Sequence, residues 1–313
     1  MNNHNYSGEV NVNKKLAEVN NLNKSYGKHH VLKDVSFSIY ENEIVGFIGP
    51  NGAGKSTTMK CMVGLVIKDS GTINIAGYDI DKQREKLLEC TSSLIESPGL
   101  YPNMSGYDHL VLIAKLRKVS KERLNEMIDF TRLGSMLNMD TSKYSMGMKQ
   151  RLALAIALMS RPKLLILDEP SNGLDPRGII ELRLTLKELV KKEGISILFS
   201  THQLGEIEKI ADRIICINKG QIIEVPLLHN NQYSYILTLD QSIENSEINT
   251  ILNQYSIVDI IDTNRAKVTL KNEALLKDLI NDLSSKKISI IDLHHEVVDI
   301  ETIYKEVYRG ELL

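Results

Sequence analysis

The 313-residue chain lacks a surplus of either charge: 38 lysines and arginines stand against 40 aspartates and glutamates, a formal net charge of -2. A nucleic-acid footprint or a polybasic membrane anchor needs a basic excess, so neither is expected. Cysteine is scarce, and Cys61, Cys90 and Cys216 lie far apart, each in or beside an apolar run. That spacing argues against a disulfide framework and a metal site, and reads as buried thiols in a reducing compartment. Long hydrophobic runs are missing too. The longest candidates, such as residues 152–159, suit a buried helix and fall well short of the ~20 apolar residues of a membrane span. Residues 1–15 are polar and asparagine-rich without an apolar segment, so a loose tail is expected there and not a secretory signal. These absences point to a cytoplasmic protein whose work at a membrane needs another chain.

What the chain does have is Gly49-Pro50-Asn51-Gly52-Ala53-Gly54-Lys55-Ser56-Thr57, a full match to G-x-x-x-x-G-K-[ST]. An apolar run at 44–48 precedes it as a buried parallel strand, and a helix is expected from Thr58 onward. Gly49, Gly52 and Gly54 let the backbone curl so that its N–H groups converge on phosphate oxygens. The helix behind adds free N–H groups and the positive end of its dipole. Lys55 supplies a point charge for the terminal phosphates, and the Ser56 hydroxyl suits Mg²⁺. Nucleotide binding is therefore the working expectation.

Ahead of this loop, alternating runs at 16–19 and 35–39 read as antiparallel strands flanking a turn at Tyr26-Gly27-Lys28. Tyr26 is there either as a ring that stacks on a base or as an ordinary exposed hairpin tyrosine. Strands follow at 70–77 and 93–99. Ser105 with Asp108 makes a capping-box start for an amphipathic helix to about 119, and a second helix follows from Lys121. Ser145 opens an apolar helix over 146–159, and a strand at 164–167 stops at Asp168-Glu169-Pro170. A helix from Ile179 to Gly194, a strand over 195–199 ending at Ser200-Thr201-His202, and a hairpin over 213–225 complete this part. Such alternation around a phosphate loop predicts an α/β fold of the P-loop NTPase type: a mostly parallel sheet, an antiparallel β-subdomain and a helical insertion at about 97–160.

A polar stretch at 226–232 separates a domain expected over 16–226 from a second over 233–313. The second reads as strands at 235–239, 257–261, 266–270 and 288–293, with helices at 243–255, 273–283 and 300–308. That order is a small α+β, ferredoxin-like domain. With no glycine loop and no cluster of catalytic residue types, its expected role is accessory or regulatory.

A carboxylate pair ending a buried strand supplies what ATP hydrolysis still lacks: Asp168 can hold Mg²⁺, and Glu169 can orient and deprotonate the attacking water. With these residues the sequence resembles the ATP-binding subunits of ABC transporters, over about residues 16–225. The resemblance also rests on Tyr144-Ser145-Met146-Gly147-Met148-Lys149-Gln150-Arg151 as the signature motif, Ser171-Asn172-Gly173-Leu174-Asp175-Pro176 as the D-loop, and Ser200-Thr201-His202 as the switch histidine. It implies ATP and Mg²⁺ as ligands, Tyr26 stacking on the base, and His202 at the γ-phosphate. It also implies a head-to-tail pair of subunits, a homodimer by default, with each ATP between the phosphate loop of one copy and Ser145 and Gly147 of the other, and Asp175 contacting the opposite copy. ATP is then part of the interface, so binding closes the pair and hydrolysis opens it. Membrane-spanning permease partners, no nucleic acid, and a place on the inner face of the bacterial membrane follow from the same resemblance.

Two departures narrow the resemblance. Met146 and Met148 stand where the usual Leu-Ser-Gly-Gly-Gln signature has a glycine and the glutamine. Glu96 stands where most of the family has a Q-loop glutamine that approaches the metal and senses the permease. A glutamate there, with the Met-Lys-Gln-Arg signature tail, is similar to the subgroup with an "E-loop" that protects bacteria against bacitracin and lantibiotics. A carboxylate accepts hydrogen bonds but donates none when ionised, so a metal site that includes Glu96 is expected to gain negative charge. The expected function is ATP hydrolysis that powers export, or removal from the membrane, of a bacitracin- or lantibiotic-type peptide. Two other readings stay open: a soluble ATP-dependent switch acting on ribosomes or DNA, against which stand the single phosphate loop and the lack of an internal repeat, and an ATPase that senses the antibiotic without driving transport.

Overall fold

The computed structural model describes residues 14–96, 99–201, 204–223, 233–270 and 274–295. His202 and the helix expected at 300–308 lie outside them. The chain divides into two compact units, Met1–Glu224 and Val225–Leu313.

In the first unit β1 (Lys15–Tyr26) and β2 (His29–Tyr40) pair antiparallel around Gly27. Both are longer than their apolar runs suggest, because polar side chains continue the ladder: Asn23 donates Nδ2–H to Asp34 Oδ1 at 2.8 Å and its Oδ1 accepts the Asp34 N–H at 3.1 Å. β3 (Ile44–Ile48) is buried throughout, and α1 (Lys55–Met62) follows the phosphate loop. This helix begins three residues earlier than expected, with Gly54 itself in the cap position. β4 (Ser70–Ile75) and β5 (Tyr78–Asp79) complete a four-stranded sheet in the order β2-β1-β4-β5, antiparallel at every pairing.

After α2 (Arg84–Glu89), β6 (Thr91–Leu94) is shorter than the strand expected at 93–99, and Glu96 beyond it turns into the left-handed region at φ 69°. The insertion consists of α3 (Gly106–Leu116), α4 (Lys121–Thr131), two 3₁₀ turns and α5 (Met146–Leu158). Ser105 caps α3 as its spacing implies, accepting from the Asp108 N–H at 3.0 Å. The helix stops short of 119, with Lys118 at φ 52°. Next come β7 (Leu164–Asp168), α6 (Pro176–Glu193), β8 (Ser196–Ser200), α7 (Leu204–Ile207), β9 (Arg213–Asn218) and β10 (Gln221–Ile223). α6 starts at Pro176 and not at Ile179, because Asp175 accepts the Gly178 N–H at 2.7 Å and proline at the first helical position needs no hydrogen bond.

These strands form a six-stranded sheet in the order β10-β9-β3-β8-β7-β6, parallel except at the β9–β10 hairpin. A parallel strand covered on both faces needs apolar side chains on both, which explains the unbroken run Leu164, Leu165, Ile166, Leu167, all fully buried. One core joins the two sheets through Leu22, Val35, Phe47, Met59 and Ile73. Beside it, Arg213 binds Glu43 at 2.6 Å and donates to Ser38 O at 2.5 Å, tying β9 to β2.

The second unit has its own core, including Leu237, Leu252, Val268 and Leu283. Its elements are β11 (Tyr233–Leu239), α8 (Ser246–Tyr255), β12 (Ser256–Asp262), β13 (Arg265–Leu270), α9 (Ala274–Ser285) and β14 (Ile290–His295). The sheet order β12-β13-β11-β14, antiparallel throughout, is ferredoxin-like. α8 begins at Ser246 and not at 243, since Asn245 caps it through the Glu247 N–H at 3.0 Å. β14 begins later than 288, since the Ile288 N–H still closes the end of α9 on Leu283 O at 3.0 Å.

Candidate active site

β3, β7 and β8 are adjacent and parallel, so the segments leaving their C-terminal ends meet at one edge of the sheet, the place where ligands bind in open α/β folds. The phosphate loop leaves β3. Gly49 lies so close to β9 that a Cβ would come within 2.3 Å of Ile217 O. Ala53 fixes the loop from within, donating its N–H to Pro50 O at 3.2 Å and accepting the Gly220 N–H at 3.0 Å. Gly54 reaches φ 113° in the cap of α1, and no side chain hydrogen-bonds to that cap. The first-turn N–H groups are thus left to an anion.

Lys55 is the charge beneath this cradle. It is buried, and its Nζ donates to Gly49 O at 2.7 Å and Pro50 O at 3.1 Å. An ammonium has three donors, so one remains for a ligand. Burial lowers its pKa from the usual lysine value, opposed by the fields of Glu169 and Asp168. Ser56 and Thr57 are half-buried in the first turn of α1, while Asn51 and Gly52 are exposed at the crest of the loop.

At the end of β7 the two carboxylates are held by residues that the sequence did not mark for this role. Ser200, at the end of β8, donates its hydroxyl to Asp168 Oδ1 at 2.6 Å and accepts the Glu169 N–H at 2.9 Å. Asn172 donates to Glu169 Oε2 at 2.6 Å. Glu169 itself sits at φ 51°, a left-handed conformation that turns it out of the strand direction. The sequence marks Ser200 only as a strand end that opens the switch-histidine motif and Asn172 only as part of the D-loop; a small polar residue within each motif is the available signal.

Of the other expected residues, Ser145, Gly147 and Asp175 lie apart from the phosphate loop. Tyr26 ends β1 with 51% of its surface exposed, and Lys24 Nζ lies 5.3 Å from its ring centre. Ser145 caps α5, accepting the Met148 N–H at 3.3 Å. Ser145, Gly147 and Asp175 share a cavity of about 670 Å³ that no residue of 49–57 lines. Glu96 is turned toward Lys60 of α1.

Ser56 and Asp168 are hard oxygen donors of the kind Mg²⁺ takes, and such sites are usually completed by phosphate oxygens and water. Among the described residues no group of three or more His, Cys, Asp or Glu is placed to hold a metal by itself. That sparse set fits a metal that arrives with a nucleotide.

Residues 32–172 match the ABC transporter family model. A solved structure of an ATP-binding subunit of an ABC transporter superposes with a TM-score of 0.61 at 36% identity, over 66% of this chain and 88% of that one. The chain is 39% identical to the ABC transporter ATP-binding protein YdbJ of Bacillus subtilis (strain 168), over 77% of this chain and 79% of the relative. The chain belongs to the ATP-binding subunits of ABC transporters. ATP hydrolysis is the characteristic activity of that family, and its members work with membrane permease subunits. Two further relatives are the lantibiotic transport ATP-binding protein SrtF of Streptococcus pyogenes, 44% identical over 66% of this chain and 89% of the relative, and the bacitracin transport ATP-binding protein BcrA of Enterococcus faecalis, 40% identical over 70% and 73%. Among the described residues of this ABC subunit no helix is long and apolar enough to cross a membrane.

Proposed function

We propose that this ABC ATPase, paired with a second copy and docked on permease subunits at the inner face of the bacterial membrane, powers export or membrane removal of a bacitracin- or lantibiotic-type peptide. The observation that carries the catalytic part is the pinned pair at the end of β7: Asp168 held by Ser200 and Glu169 held by Asn172, within the electrostatic reach of Lys55. In this reading Lys55 and the loop N–H groups grip the phosphates, and Ser56 and Asp168 hold Mg²⁺. A Mg²⁺ held there would supply positive charge to offset the negative charge that develops on the phosphates. Glu169 takes the proton of the attacking water, and Tyr26 offers its open ring to the base. His202 is assigned to the γ-phosphate on the family motif alone.

The dimer part is supported by the cavity lined by Ser145 and Gly147, which takes in no residue of 49–57, since a signature helix set apart from the phosphate loop of its own chain can meet the same ATP across two chains. The peptide class is supported by Glu96 and by the names of the two transport relatives. The ferredoxin-like unit, a separate compact body with its own core, is given an accessory or regulatory role.

Glu169→Gln is the test. The variant is expected to lose at least ~100-fold in hydrolysis rate and to accumulate as an ATP-bound dimer, read by light scattering on a sizing column. Full turnover would remove Glu169 from its role as base. The same substitution in cells producing the chain with its permease is expected to restore sensitivity to bacitracin or a lantibiotic; unchanged resistance would refute the peptide class.

A further inference from the structure

Lys60 and Glu96 meet across the phosphate-loop helix, with Nζ 2.5 Å from Oε1. Lys60 lies four residues beyond Ser56 on α1, so the two share a helix face. Glu96 follows β6, which pairs in parallel with β7, the strand that ends in Asp168. The left-handed φ of 69° at Glu96 is one that residues bearing a side chain rarely adopt. The field of Asp168 also reaches the Lys60 ammonium. The Glu96 side chain is 68% exposed, and pairs so open to water add little to stability. The fold does not need this contact.

We infer that Lys60 balances Glu96 at the metal end of the nucleotide, so that the pair does electrostatically what a neutral amide at position 96 does alone. The negative charge that a lone glutamate brings to the metal site is thereby cancelled, and Lys60 is a positioning residue that sets the local charge. This rests on the expectation, implied by the family resemblance, that Glu96 approaches the Mg-nucleotide.

The test is Mn²⁺ binding to the full chain with saturating ADP, followed by electron paramagnetic resonance at low ionic strength, where screening is weak. One unbalanced charge ~10–15 Å from the metal changes cation affinity by about three- to tenfold. Lys60→Met is expected to bind Mn²⁺ more tightly by that factor and Glu96→Gln more weakly by a similar one. The double variant and Lys60→Arg are expected within twofold of the parent chain. A thermal melt of each variant without ligand separates a change of charge from a change of fold, since a merely structural role does not move affinity in opposite directions. A response to Glu96→Gln with none to Lys60→Met overturns the inference and leaves the reading of Glu96 standing. A double variant that fails to return to the parent affinity overturns it as well. No response to either single variant overturns both.

Discussion

Gly49 offers a direct test of how the phosphate loop is seated. In Gly49→Ala the new methyl would stand 2.3 Å from Ile217 O, about 1 Å inside a normal contact, and that oxygen belongs to β9, whose backbone pairs with β3 and β10. A side chain could rotate away; a sheet carbonyl cannot, so the loop must lift. Overpacking of this kind costs about 1–3 kcal/mol, which at roughly 2–4 °C per kcal/mol lowers the melting temperature of the nucleotide-binding unit by about 2–12 °C. Lifting the loop also pulls Gly49 O away from Lys55 Nζ, now 2.7 Å apart, and misaims the ammonium. Affinity for a fluorescent ATP analogue is expected to fall tenfold or more, the equivalent of about 1.4 kcal/mol. Gly52→Ala is the control: nothing lies within 4 Å of its Cβ position, and only the strain of φ 79° remains, roughly 1 kcal/mol. Thermal melts and binding titrations of both variants check the order. Gly49→Ala with unchanged melting and affinity, or Gly52→Ala as the more damaging of the two, would refute the seating of the loop against β9.

Asn172→Ala removes one hydrogen bond from the Glu169 carboxylate and is expected to lower kcat about three- to tenfold, given that the lost charge-assisted bond is solvent-exposed. KM for ATP should stay within twofold; a raised KM with unchanged kcat would show that Asn172 serves binding instead. Burial pushes the Cys61 thiol up to about 11 and the Cys216 thiol up to about 12. Both should resist alkylation in the native chain at pH 8, leaving the half-buried Cys90 to react, whereas all three react in denaturant. Equal labelling of the three in the native chain, followed by mass spectrometry, would contradict this. Because the folded chain keeps protons that the unfolded chain gives up, this contribution to stability is whole below pH ~9 and is lost as pH rises toward 11–12. Denaturant melts at pH 8 and 10.5 measure the fall.

The phosphate loop, the Asp168-Glu169 strand end, the parallel sheet and the βαββαβ order of the second unit could be read from the chain alone. Each is local: a turn that only glycine permits, a strand apolar on both faces, a period of two or of 3.6 residues. Element ends were less legible where a cap decided them. Asp175 and Pro176 together start α6, and Asn245 starts α8, although the apolar pattern begins later in the first case and earlier in the second. The partners of the site were not legible at all. Ser200 and Asp168 lie 32 residues apart, and Lys60 and Glu96 lie 36 apart. A pairing of that kind depends on which strands become neighbours, and no local pattern encodes it. The sequence by itself determined which chemical groups are present and which backbone holds each. Only the tertiary structure decided that one serine holds both the Asp168 carboxylate and the Glu169 backbone and that a lysine meets Glu96, because charge and hydrogen bonding act over a few ångströms of space whatever the distance along the chain.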